Sequence, residues 1–122
     1  MIDIASVPIL NNQTTHSIIM QANGDESIVY EIFESFVYDV QNMINQINLA
    51  VKNSDFKQFK LMSHTIKGLS ATIGATQLHI VSKEIDLLLK EDKKEEAIGY
   101  IPLLTEVYNN CKVIVKKEFK IA

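Results

Sequence analysis

A chain of 122 residues, 47% apolar and 22% charged, has the composition of one globular domain able to bury a workable core. Its net charge of −3 excludes a general nucleic-acid footprint, and its single cysteine, Cys111, excludes a disulfide framework or a cysteine-rich zinc site. No apolar run reaches transmembrane length, and the N-terminus lacks the basic flank and small-residue cleavage pattern of a signal peptide. The expectation is a soluble cytoplasmic domain without membrane insertion. All twelve basic residues are lysine, and the absence of arginine beside abundant isoleucine and asparagine suggests a low-GC bacterial coding bias. With only four glycines and two prolines, long helices are favoured over strands and turns.

Residues 1–17 are weakly patterned and read as an N-terminal extension or linker; residues 18–122 read as the domain. Pro8 interrupts any helix near the start. A short helix is expected from about Asn12, capped by Thr14 or Thr15 and ending near Asn23-Gly24. Asp25 can cap the next helix.

From Glu26 to about Lys52 the periodicity is strong. Val29, Phe33, Phe36, Val40, Met43, Ile47 and Ala50 recur at three- and four-residue spacing, which describes one buried stripe. Asn53-Ser54-Asp55 then reads as a turn and cap. A central helix is predicted from about Asp55 to Ile73, with Phe56, Phe59, Ser63, Ile66, Ser70 and Ile73 as its buried seam.

Gly74 ends that helix in the left-handed conformation that glycine adopts cheaply. The next helix, about Ala75 to Lys90, turns Leu78, Val81, Ser82, Ile85, Leu88 and Leu89 inward. So short a link makes the pair an antiparallel hairpin. After the polar turn Glu91-Asp92-Lys93-Lys94, a last helix covers about Glu95 to Lys120, with Ile98, Ile101, Leu104, Tyr108, Cys111 and Val115 as its stripe. Pro102 should kink it or mark a restart. The fold class is all-α: an antiparallel four-helix bundle with a short additional N-terminal helix.

The chemistry concentrates in His64-Thr65-Ile66-Lys67-Gly68-Leu69-Ser70-Ala71-Thr72-Ile73-Gly74-Ala75. Gly68 lies inside a predicted helix, where glycine costs roughly 1 kcal/mol relative to alanine. At 100° per residue, His64 points roughly 140° from the mean direction of the seam, and Gly68 almost directly away from it. An outward imidazole is a competent nucleophile toward an activated phosphoryl group. Lys67, three residues on, can bring an ammonium to the phosphoryl oxygens, and Gly68 clears the approach. Lys57, Lys60, Leu61 and Ala71 surround or flank His64. Residues 55–73 hold three lysines against one aspartate, whereas residues 24–53 hold five acids against one lysine. The basic character therefore collects around the histidine, as an acidic or phosphorylated partner requires.

The chain has no Gly-rich phosphate loop and no carboxylate cluster suited to magnesium. A histidine so placed would receive its phosphoryl group from one protein and pass it to another. It would be a carrier, with no kinase activity and no bound metal or cofactor of its own.

At this point the stretch resembles the signature of the histidine-containing phosphotransfer (HPt) family of two-component phosphorelays, broadly His-x-Leu-Lys-Gly-(Ser/Ala)-(Ser/Ala)-x-x-Leu-Gly-Ala. His64, Lys67, Gly68, Ser70, Gly74 and Ala75 match it, and Ile66 and Ile73 replace leucines. Gly24-Asp25-Glu26 before a helix carrying Phe36 is similar to the family's first long helix. Leu78, Ser82, Ile85 and Asp86 follow its Leu-x-x-x-small-x-x-Leu-Glu pattern. The resemblance spans about residues 18–115, with two departures: Leu69 for a small residue, and Asp86 for Glu or Gln.

The resemblance implies that His64 accepts a phosphoryl group on Nε2 from a receiver-domain aspartate and hands it to another receiver. The receiver would supply the aspartate and Mg2+. Lys67 would assist electrostatically and Gly68 would give clearance. The expected partners are response-regulator receiver domains, with a hybrid histidine kinase as a further candidate. Asp86 is either the acceptor that holds Nδ1–H or an ordinary surface acid. Lys57 and Lys60 are partner-facing or merely solvated, and Leu61 is part of a docking patch or an isolated exposed residue. His16 and His79 lack spaced partners and read as structural or incidental.

Two other readings compete. A helical adaptor or dimerisation module would need no phosphoryl chemistry. The dimerising phosphoacceptor domain of a sensor kinase also carries a helical histidine, usually followed by an acidic residue and a proline; here Thr65 follows, and no proline occurs before Pro102.

Overall fold

The computed structural model describes residues 2–119, which form six helices: α1 (Asn12–Gln21), α2 (Glu26–Lys52), α3 (Phe56–Ile73), α4 (Thr76–Lys90), α5 (Lys94–Gly99) and α6 (Ile101–Phe119). The four long helices α2, α3, α4 and α6 form the bundle. α3 packs on both α2 and α4, and α6 closes the ring against α2 and α4. The expected end of the last helix at Lys120 lies outside the described residues.

Local signals set the helix boundaries. Asp25 Oδ1 accepts the backbone N–H groups of Ser27 and Ile28 at 3.0 and 3.4 Å and caps α2. Asp55 Oδ1 does the same for α3 through Gln58 N–H at 3.1 Å. Gly74, at φ 82°, closes α3 in the left-handed region, and Ala75 N–H returns to the Ser70 carbonyl at 2.9 Å. The cap of α1 is Asn11, which accepts from Gln13 and Thr14 N–H, in place of the expected Thr14 or Thr15. Both threonines already lie in the first turn, where their hydroxyls are too far along the chain to cap it. Pro102 marks a restart: α5 ends at Gly99, and α6 begins at Ile101 with the proline in its first turn, where no N–H is required.

The core consists of the predicted stripes with small shifts. Phe33, Val40, Ile47, Phe59, Ile66, Val81, Ile85, Leu104 and Val115 are fully buried. Met43 is only half-buried, and Ile44 takes its core position as the stripe continues 40-44-47. Phe56 is also half-buried, at the start of α3, with the Lys94 ammonium 4.8 Å above its ring. Tyr108 OH donates to the Val37 carbonyl at 2.7 Å and ties α6 to α2.

Three serines lie at the heart of the bundle with no exposure: Ser63 and Ser70 on α3, and Ser82 on α4. Each hydroxyl donates to the carbonyl four residues earlier in its own helix, so none is left unsatisfied. Their small volume leaves room for neighbouring helices to approach.

The N-terminal segment is fastened to the bundle. Leu10 is buried, Asn11 N–H donates to the Gly74 carbonyl at 2.7 Å, and Gln77 Nε2 donates to the Val7 carbonyl at 2.8 Å. The division expected between residues 17 and 18 falls inside α1.

Candidate functional site

His64 occupies the ninth position of the 18-residue helix α3, more than two turns from either end. The helix dipole acts mainly within the terminal turns, so any positive field here must come from side chains. The imidazole is 60% exposed, on the face opposite the Phe59-Ser63-Ile66-Ser70 seam. Its Nδ1 faces Asp86 Oδ2 at 3.5 Å, the outer limit of a hydrogen bond. A carboxylate oxygen only accepts, so Nδ1 is the donor in this contact, and in the neutral ring that leaves the lone pair on Nε2.

Asp86 is a buried acid, only 2% exposed, on the face of α4 that meets α3. The reading of it as an ordinary surface acid is therefore corrected. Its Oδ2 receives the Lys67 ammonium at 2.7 Å and the Lys90 ammonium at 3.1 Å. Oδ1 is buried without a hydrogen-bond partner among the described residues. Burial pushes the Asp86 carboxyl up, but hydrogen bonds from Lys67, Lys90 and His64 outweigh it and hold the group below its ordinary value.

Lys67 is thus docked on Asp86 next to the imidazole. Its carbonyl is held from the other helix by His79 Nδ1 at 3.0 Å. This gives His79 a structural role: it pins the α3 backbone at the lysine of the site. Gly68 is exposed, and a Cβ built on it would meet nothing within 4 Å. The fold does not require a glycine there.

A groove of about 510 Å3 opens beside the imidazole, lined by Asp55, Lys57, Gln58, Lys60, Leu61, His64, Asp86 and Lys90. Three of the four expected contact residues, Lys57, Lys60 and Leu61, lie on its walls. Ala71 is exposed two turns beyond His64 and is not one of them. Lys57 and Lys60 form no ion pair among the described residues, which leaves their charge available to a partner.

Lys90 belongs to the site although the sequence reading did not single it out. The signal was present: Asp86 and Lys90 are spaced i,i+4 on one helix, the register in which such side chains meet. Among the described residues, no three His, Cys, Asp or Glu side chains converge as a metal site would need. No helix among them is long and apolar enough to cross a membrane.

Comparisons with known proteins bear on both the family and the fold. A family model for the Hpt domain matches residues 31–110. Over 94 residues, 76% of this chain, it is 29% identical to the phosphorelay intermediate protein rdeA of Dictyostelium discoideum, and it spans 37% of that relative's length. The fold superposes on the crystal structure of histidine-containing phosphotransfer protein B (HptB) from Pseudomonas aeruginosa PAO1. The TM-score is 0.86 at 20% identity, covering 94% of this chain and 97% of the other. It also superposes on a rice protein described as a histidine-containing phosphotransfer protein, with a TM-score of 0.83 at 14% identity, covering 96% and 84% of the two chains. At such identities these two likenesses speak for the fold alone.

Proposed function

This chain belongs to the Hpt domain family, and on that premise we propose that it is a phosphorelay intermediate whose phosphoacceptor is His64. The observation that carries the proposal is the pairing of an exposed imidazole with a buried acceptor for its Nδ1–H, which directs the Nε2 lone pair outward.

The transfer runs as an in-line displacement. The Nε2 lone pair attacks the phosphorus of a receiver's aspartyl phosphate. The P–O bond to that aspartate breaks, and its electron pair returns to the carboxylate. A P–N bond forms, and the ring carries positive charge until Nδ1–H is shared with, or lost past, Asp86. The reverse sequence hands the group to a second receiver aspartate. The receiver contributes the aspartyl group and its Mg2+ ion, so the chain is a phosphocarrier and does not act as a kinase. Lys67 lowers the cost of negative charge on the transferred oxygens, and Gly68 admits the partner's phosphoryl group past the helix. Lys57, Lys60 and Leu61 form the wall against which the receiver docks, with Ala71 at its edge. Receiver domains, alone or within a hybrid kinase, are the partners, and the cytoplasm is the compartment in which they would meet it. A low-GC bacterial source rests on the lysine-only basic composition.

The test is incubation with a phosphorylated receiver. The expected product is an acid-labile, base-stable phosphate on the wild-type chain, absent from His64→Gln and retained by His16→Gln. Equal labelling of His64→Gln would overturn the assignment. A chain that no receiver labels, with unaltered binding behaviour in His64→Gln, would instead be a helical adaptor.

A further inference from the structure

One oxygen of the site holds more positive charge than the sequence motif accounts for. Asp86 Oδ2 is shared by Lys67 at 2.7 Å and Lys90 at 3.1 Å, with His64 Nδ1 at 3.5 Å. An Asp–Lys pair at i,i+4 on an exposed helix face would be unremarkable. Here the acid is 2% exposed and already has a closer ammonium, while Lys90 is half exposed and lines the same groove as His64.

The charges explain why a second lysine is needed. With Lys67 alone, the buried carboxylate and the ammonium would cancel, and an incoming phosphoryl group would meet a nearly neutral site. With both lysines, one negative and two positive charges leave the cluster at +1. We propose that Lys90 is a charge-compensating positioning residue. It neutralises Asp86 so that the Lys67 ammonium remains available to the group transferred to His64. The proposal rests on His64 as the phosphorylated residue. It concerns a consequence of this chain carrying an acid, and not an amide, at position 86. An amide acceptor would need no such compensation.

Because the requirement for Lys90 is created by the charge of Asp86, removing that charge should relieve it. The probe is phosphoramidate, a small anionic donor whose P–N bond is of the same class as that of phosphohistidine. The rate of phosphohistidine formation is followed by 31P NMR on the wild type, Lys90→Met, Asp86→Asn and the double variant. Asparagine keeps an oxygen that can accept Nδ1–H and loses only the charge.

Loss of one nearby cation should slow labelling of Lys90→Met by roughly tenfold and flatten its dependence on ionic strength. Adding Asp86→Asn to Lys90→Met should recover most of that loss, so the double variant is faster than Lys90→Met alone. Lys90→Gln serves as a second neutral variant, and circular dichroism checks that helix content is retained. A Lys90→Met rate equal to wild type, or a double variant slower than both singles, would overturn the inference. A wild type that is not labelled, or a His64→Gln chain labelled equally well, would overturn the reading of His64 on which it rests.

Discussion

The Lys67 ammonium stands 2.7 Å from Asp86 Oδ2, nearer to that oxygen than His64 Nδ1 at 3.5 Å. The acceptor expected to orient the imidazole is therefore first of all a lysine anchor. Its hold on the ring is the weaker of the two. The arrangement suits a carrier at rest, because a positive charge gained by the ring on phosphorylation would draw Nδ1–H toward the carboxylate.

The Asp86 cluster should stabilise the fold only while the acid is ionised. Its carboxyl lies below the ordinary 3.8 in the folded chain, because the three donors outweigh the upward push of burial. A group lowered on folding contributes stability above its unfolded pKa and loses it as pH falls through the folded one. Chemical denaturation of wild type and Asp86→Asn between pH 6 and pH 2 should show the wild-type advantage shrinking below about pH 4. A constant difference across that range would count against the cluster.

Gly68 separates stability from activity. Apart from its own turn of helix backbone and adjacent residues, nothing lies within 4 Å of where its Cβ would be, so Gly68→Ala should raise stability by up to about 1 kcal/mol through helix propensity. Gly68→Gln should keep the helix and slow phosphoryl transfer, since its side chain would stand in the partner's approach. Denaturation midpoints and transfer rates measured on the same pair of variants decide the matter. Normal transfer in Gly68→Gln would remove the clearance argument.

Gly74 should behave oppositely. It sits at φ 82°, and a Cβ there would come within 2.7 Å of the Thr14 Cβ. Gly74→Ala should destabilise by at least about 1–2 kcal/mol from the left-handed conformation alone, with the clash against α1 adding to it. Urea titration would register the loss.

On the alkaline side, burial pushes the Tyr108 phenol and the Cys111 thiol up to about 12, the phenol with a further push from Cys111. Groups raised on folding keep the folded chain protonated after the unfolded chain has begun to ionise. Stability should therefore fall as pH rises from about 9 toward 12. Tyr108→Phe should lower stability near neutrality by about 1 kcal/mol, the worth of its bond to the Val37 carbonyl. It should also make the alkaline decline shallower, which thermal melts across the pH range would detect.

Much of this molecule was legible before its fold was seen. Apolar spacing of three and four located α2, α3, α4 and α6, because a helix buries one stripe regardless of what covers it. Asp25, Asp55, Gly74 and Pro102 marked boundaries through backbone chemistry that acts within a turn. The outward direction of His64 and Gly68 followed from helical geometry alone.

What the sequence by itself determined is everything that depends on neighbours within about one turn: the helices, most of their caps, and the inner and outer faces of α3, with His64 on the outer one. What only the tertiary structure decided is which groups from different helices share one oxygen. Asp86 lies 22 residues from His64 and 19 from Lys67. Its burial, its capture of Lys67 and the clasp of His79 on the Lys67 carbonyl arise from the packing of α3 against α4, whereas its pairing with Lys90 lies within α4 and was legible at i,i+4. Ser63, Ser70 and Ser82 are fully buried in these two helices, and side chains so small leave room for neighbouring helices to approach. Burial and through-space charge are properties of the assembled bundle, so no single helix could announce them.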